Sequence, residues 1–88
     1  MNNVVWTIAG SDSSAGAGIQ ADLHTFKSLG ADGCSVISAV TAQSSVTVNL
    51  VESVSEKMFA AQIDSLAADM PAKVIKIGLL QALITFKY

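Results

Sequence analysis

Short apolar runs of strand length, separated by stretches with helical spacing, constrain this chain more than any other feature. Val4-Val5-Trp6-Thr7-Ile8-Ala9 is a β-branched and aromatic run closed by Gly10. Such a run has almost no polar face, so it suits a strand covered on both sides, as in a parallel sheet. From Ile19 the period changes. Ile19, Leu23 and Phe26 share one helical face, Lys27 suits the negative end of a helix dipole, and Gly30 is a natural stop. Residues 34–40 read as a second strand, 41–45 as a polar turn, and 46–54 as an extended segment with Val46, Val48 and Leu50 on one side. Ser53 and Glu56 have the capping-box spacing, which predicts a helix from that point. Phe59, Ile63 and Leu66 give it an apolar face, and Pro71 marks its exit. Val74-Ile75-Lys76-Ile77 is a further strand, stopped by Gly78. This alternation predicts an α/β fold with a mostly parallel sheet flanked by helices. Ligands in such sheets bind beyond the carboxyl ends of the strands. Residues 10–18, 41–45 and 78–80 converge there.

The chain has 88 residues, enough for at most one small domain. Only 14% of them are charged, against about 25% in an ordinary domain. A small globule has a large surface to cover with polar groups. The composition therefore predicts a piece of a larger protein, molten, aggregated or oligomeric on its own, and leaves room for a homodimer. A net charge of −2 with five scattered basic residues excludes the electrostatic footprint of a nucleic-acid binder. Cys34 is the single cysteine. It cannot form an intrachain disulfide, and its apolar neighbours predict a packing role. No apolar stretch reaches the ~20 residues needed to cross a bilayer. Met1-Asn2-Asn3 lacks the basic start of a secretory signal, so a cytoplasmic setting without a membrane partner is expected.

Gly16-Ala17-Gly18-Ile19-Gln20-Ala21 fits a relaxed dinucleotide fingerprint. That reading also needs an acidic residue near the end of the second strand to hold a ribose. The stretch Ser38-Ala39-Val40-Thr41-Ala42-Gln43 has none, and the loop before the glycines is longer than the tight turn requires. No Gly-Lys-Ser/Thr signature marks a P-loop either. Small residues here still let backbone N–H groups approach a ligand closely. Asp22 is expected in the first turn of the following helix. Spacing leaves two readings of it open: a carboxylate favoured by the helix dipole, or one facing a polar ligand.

The ordered string Thr7-Ile8-Ala9-Gly10-Ser11-Asp12-Ser13-Ser14-Ala15-Gly16-Ala17-Gly18-Ile19-Gln20-Ala21-Asp22 resembles the N-terminal signature of the hydroxymethylpyrimidine/phosphomethylpyrimidine kinases. Leu29-Gly30-Ala31, Ser35-Val36-Ile37, Thr41-Ala42-Gln43 and Lys76-Ile77-Gly78-Leu79 match the same family in order. The resemblance implies a ribokinase-like α/β fold, of which residues 1–88 form the N-terminal, incomplete part. It also implies transfer of phosphate from ATP, with Mg2+, to 4-amino-5-hydroxymethyl-2-methylpyrimidine and then to its monophosphate, feeding thiamine diphosphate synthesis. By the same resemblance, Asp22 and Gln43 match polar residues that hold the pyrimidine. Gly10 and Ala17 match small residues lining its pocket, and Leu79 matches an apolar position beside the ring.

Residue chemistry suits these roles. An aminopyrimidine shows a donor amine beside an acceptor ring nitrogen, and the Gln43 amide can complement both. The family's anion hole and catalytic aspartate belong to a far C-terminal glycine-rich motif that this sequence lacks, so no catalytic residue is assigned. Residues 81–88 depart from the family pattern, as a truncation would. Two alternatives to the pyrimidine kinase follow: a pyridoxal-type kinase, or a non-catalytic fragment. Elsewhere the expectations are ordinary. His24 is off the apolar helix face and solvated, Asp12 shapes its own turn, and Trp6 lies in the core. Lys76 either reaches the pocket or snorkels to solvent.

Overall fold

The computed structural model describes residues 3–78. Leu79 and the departing tail at 81–88 lie outside the described residues. In chain order the elements are β1 (Val4–Ala9), α1 (Gly18–Ser28), β2 (Asp32–Ile37), β3 (Ala39–Gln43), β4 (Val48–Ser53), α2 (Glu56–Asp69) and β5 (Val74–Ile77). The fold is α/β, as expected. A parallel sheet of order β2-β1-β5 is flanked by helices, and β3 and β4 form a separate antiparallel hairpin.

The apolar run of β1 makes it the central strand. Val4, Trp6, Ile8 and Ala9 are buried, and Thr7 is fully so. Its two faces carry different helices. On one face Val4, Trp6 and Cys34 form a cluster against Ile63 and Leu66 of α2, together with Met70 and Ala72. On the other, Leu23 and Phe26 of α1 press on Gly33, where a Cβ would stand 3.0 and 3.1 Å from their side chains. Burial, reinforced by the negative charges of Asp32 and Asp69, pushes the Cys34 thiol pKa up, so it stays a neutral packing group. Trp6 is in the core and His24 is exposed, as the sequence reading expects.

Three expectations are corrected. Residues 34–40 are not one strand. β2 starts at Asp32 and ends at Ile37, and Ser38 breaks it by donating its N–H to Ala9 and accepting from Val54 through its carbonyl. The apolar run continues past the break because Ala39 packs as part of a different sheet. Residues 41–43 belong to β3, and the turn follows at Ser44–Thr47, where the Ser44 hydroxyl accepts from the N–H groups of Val46 and Thr47. The α2 cap is Ser55, not Ser53: its side chain accepts from the N–H of Met58 at 3.0 Å. Ser53 is withdrawn from capping because it pairs with Ala39 in the hairpin.

The far end of β2 is closed by a side chain that imitates a strand. The Gln62 amide donates to the Ile37 carbonyl at 2.9 Å and accepts from the Ile37 N–H at 2.8 Å. Gln62→Ala leaves both half-buried backbone groups unpaired and is expected to cost about 1–3 kcal/mol in urea unfolding. An unchanged midpoint would show that water replaces the amide without loss.

Candidate functional site

The strand order sets where a ligand can sit. From β1 the chain moves to β2 on one side, and later to β5 on the other. The carboxyl end of β1 is thus the switch point of the sheet, where loops to either side diverge and leave a crevice. A cavity of about 500 Å³ opens there, and Ala9 and Gly10 line it.

One wall is the loop between β1 and α1. Its shape is held by Asp12, whose carboxylate accepts from the Ser14 N–H at 2.9 Å and hydroxyl at 2.7 Å. The Ser14 hydroxyl bond, with backbone N–H groups of Ser14, Ala17 and Gly16, outweighs desolvation and keeps the Asp12 carboxyl below the usual range. Asp12 therefore shapes its turn, as expected. Gly18 opens α1 at φ +62°, and the Gly10 carbonyl accepts from the Ile19 N–H at 3.0 Å. Ala17 and Gly18 both reach the cavity.

The facing wall is the hairpin. A bulge between Ala42 and Gln43 pairs Ala42 with Leu50 but Gln43 with Val48. One residue of β4 is thereby skipped, and the alternation changes side. The expected grouping of Val46, Val48 and Leu50 is corrected: Val48 instead shares the cavity face with Val51 and Ser53. Ala39, Thr41 and Gln43 line the same wall from β3. The two walls are tied together. The Thr41 hydroxyl donates to the Ser11 carbonyl at 2.7 Å, and the Ser13 hydroxyl both accepts from the Gln43 N–H at 2.7 Å and donates to the Gln43 carbonyl. The pairing steps by two residues on each wall, Ser11 with Thr41 and Ser13 with Gln43, but the partners lie 30 residues apart and no local signal in the sequence joins them.

Of the five singled-out residues, Gly10, Ala17 and Gln43 line the cavity, and Leu79 is outside the described residues. Asp22 is in the second turn of α1, not the first, and does not line the cavity. Its carboxylate accepts from the Thr7 hydroxyl at 2.6 Å and from the Lys76 ammonium at 2.8 and 3.0 Å. Burial pushes the Asp22 carboxyl up, but the bonds from Lys76 and Thr7 outweigh it and leave its pKa below the ordinary value. Lys76 itself lines the cavity, resolving its two readings in favour of the pocket.

The described residues do not fit a metal: none of their His, Cys, Asp and Glu side chains form a group of three or more able to hold one. No helix among them is long and apolar enough to cross a membrane.

Comparison with known proteins adds the following. The family model described as phosphomethylpyrimidine kinase matches residues 12–87. A hydroxymethylpyrimidine/phosphomethylpyrimidine kinase of Rhizobium meliloti is 51% identical over 79 residues, covering 90% of this chain and 30% of that protein. The crystal structure of a Clostridium difficile phosphomethylpyrimidine kinase superposes with a TM-score of 0.85 at 41% identity, covering 98% of this chain and 42% of that one. A Staphylococcus aureus pyridoxal kinase in complex with pyridoxal gives a TM-score of 0.80 at 36% identity, with 90% and 30% covered. The chain thus spans about 30–42% of the length of these proteins.

Proposed function

Because the chain belongs to the phosphomethylpyrimidine kinase family, we propose that it forms the acceptor-binding part of an ATP-dependent kinase. That enzyme phosphorylates 4-amino-5-hydroxymethyl-2-methylpyrimidine, and then its monophosphate, in thiamine diphosphate synthesis. The observation that carries this reading is the switch-point cavity with Gln43 on its wall. Gln43 hydrogen-bonds the amine and the neighbouring ring nitrogen, Gly10 and Ala17 let the ring approach the backbone, and Leu79 packs beside it. Asp22, which the family resemblance makes a residue that holds the pyrimidine, acts from behind the polar side of the pocket through its ion pair with Lys76. The segment's share of catalysis is orientation of the acceptor alcohol. ATP and Mg2+ are held by other parts of the enzyme, which works in the cytoplasm, alone or as a homodimer. Residues 1–88 are then a partial ribokinase-like domain.

The test is Gln43→Leu in the full-length enzyme, which keeps bulk and removes donor and acceptor. A hydrogen bond lost in a desolvated pocket costs about 1–3 kcal/mol, so kcat/KM for the pyrimidine alcohol is expected to fall roughly 5- to 150-fold. The KM for ATP and the melting temperature stay close to wild type, because the Gln43 backbone keeps its bonds to Ser13. Unchanged pyrimidine kinetics would make Gln43 an ordinary hairpin residue. The likeness to a pyridoxal kinase favours a second reading, pyridoxal as the acceptor. Faster turnover of pyridoxal than of the pyrimidine by the same wild-type enzyme would establish it instead.

A further inference from the structure

We propose that Lys76 contacts the substrate, donating a hydrogen bond to a neutral acceptor atom of the bound ring, and that Asp22 is the positioning residue that aims it. This rests on the reading of the cavity as the pyrimidine site.

Register places the pair. Lys76 of β5 lies beside Thr7 of the central strand, so both side chains leave the sheet on the α1 face. Asp22 of α1 closes over them. One carboxylate oxygen takes the Thr7 hydroxyl and Lys76 together, and the other takes Lys76 alone. Thr7 is fully buried, so the carboxylate is anchored to the buried central strand of the sheet. The Asp22 side chain is 17% exposed and the Lys76 side chain 48%.

The two partners differ in what they offer a ligand. Both Asp22 oxygens are engaged, and Asp22 is absent from the cavity wall. Lys76 is on that wall, and an ammonium has three N–H groups. Its two bonds to Asp22 leave at least one uncommitted among the described residues. Among the described residues lining the cavity, Lys76 is the only cation, and the one anion, Asp12, is engaged by Ser14. A lysine held by a carboxylate is close to neutral as a pair. It is poorly suited to balance a phosphate dianion and well suited to donate to an uncharged ring nitrogen. A lone surface ion pair, by contrast, contributes little to stability, so an ion pair joining three elements at a cavity wall calls for another role.

The experiment is isothermal titration calorimetry on the full-length protein with the pyrimidine alcohol, its 1-deaza and 3-deaza analogues and its monophosphate. Lys76→Met is expected to weaken the pyrimidine alcohol about 10-fold, the effect of one lost hydrogen bond. The loss should vanish for whichever deaza analogue already lacks the acceptor. Asp22→Asn should weaken the pyrimidine in the Lys76 background and add nothing once Lys76 is Met. A purely structural pair would not produce that ligand-specific pattern. Should Lys76→Met fail to fold, Lys76→Ala also removes every donor at the position and is read in the same way. An equal loss for all ring analogues, or no loss, overturns the proposal. So does a larger loss for the monophosphate, which would make the phosphate the partner. In each of those cases wild-type binding of the pyrimidine leaves the functional reading standing. Failure of the wild type to bind it overturns both.

Discussion

Gly18→Ala is expected to distort the cavity wall by displacing the Gly10 backbone, with no polar side chain removed. Gly18 has φ +62°, and a Cβ placed on it would lie 2.3 Å from the Gly10 carbonyl oxygen. Left-handed backbone costs a non-glycine residue about 1–2 kcal/mol by itself. The clash adds more, because the atom struck is backbone and not the end of a flexible side chain. The same carbonyl accepts from the Ile19 N–H, so moving it disturbs the first turn of α1 as well. Together these effects should lower stability by about 3 kcal/mol or more. Displacing reacting groups by an ångström can cost on the order of 100-fold in rate, and kcat/KM for the pyrimidine alcohol should fall at least that far. Thermal unfolding and steady-state kinetics of the full-length protein check both. A variant with wild-type melting temperature and kinetics would show that the loop has slack the structure does not reveal.

The second large effect is at the opposite face of β1. Trp6 is 5% exposed and packs with Val4 and Cys34 against α2. Its indole N–H donates to the Met70 carbonyl at 2.8 Å, at the C-terminal cap of that helix. Trp6→Ala should therefore cost about 3–5 kcal/mol, through lost contact and the cavity left behind. Trp6→Phe keeps most of the apolar area and removes only the donor, so its smaller cost isolates the bond to Met70. Urea denaturation with an unchanged m-value is the measurement. A loss below about 1 kcal/mol for Trp6→Ala would mean that α2 repacks to fill the space.

Much of the main sheet was legible because its residues obey one rule each. The run from Val4 to Ala9 is a strand with those bounds, since nothing in it suits any other environment. The Ile19–Leu23–Phe26 face, the stop at Gly30 (φ +77°) and the exit at Pro71 follow from local chemistry alone. The hairpin was not legible in this way. Residues 34–40 stay apolar across the boundary at Ser38, so hydrophobicity gives no sign that the chain changes sheets. The bulge opposite Gln43 depends on pairing geometry, not on the residues' own preferences. Ser55 takes the cap from Ser53 for a similar reason, since hairpin pairing claims the earlier serine. At the site, loop and strand-end positions brought residues 10–18 and 41–45 to the crevice, and the family resemblance singled out Gly10, Ala17 and Gln43 among them. The placement of Asp22 behind Lys76 joins residues far apart in the chain, and helical spacing cannot show which strand a carboxylate will meet.

The central place of β1 also has a consequence during synthesis. Its neighbour on one side, β2, arrives after a single helix, whereas on the other side Val5 must wait for Val74. At about 5–20 residues per second, the ribosome delivers β5 seconds after the β1–α1–β2 unit can close. Throughout that interval one edge of the nascent sheet carries unpaired N–H and carbonyl groups beside buried-type side chains, the condition that invites pairing with another chain. The long-range contact of β1 with β5 must also overcome loop-closure entropy that the β1–β2 contact largely avoids. Arrival of β5 ends this exposure, and in the same event it brings Lys76 to Asp22. Covering the open edge of β1 and completing the ion pair behind the pocket are thus one step of maturation, late in the emergence of this segment.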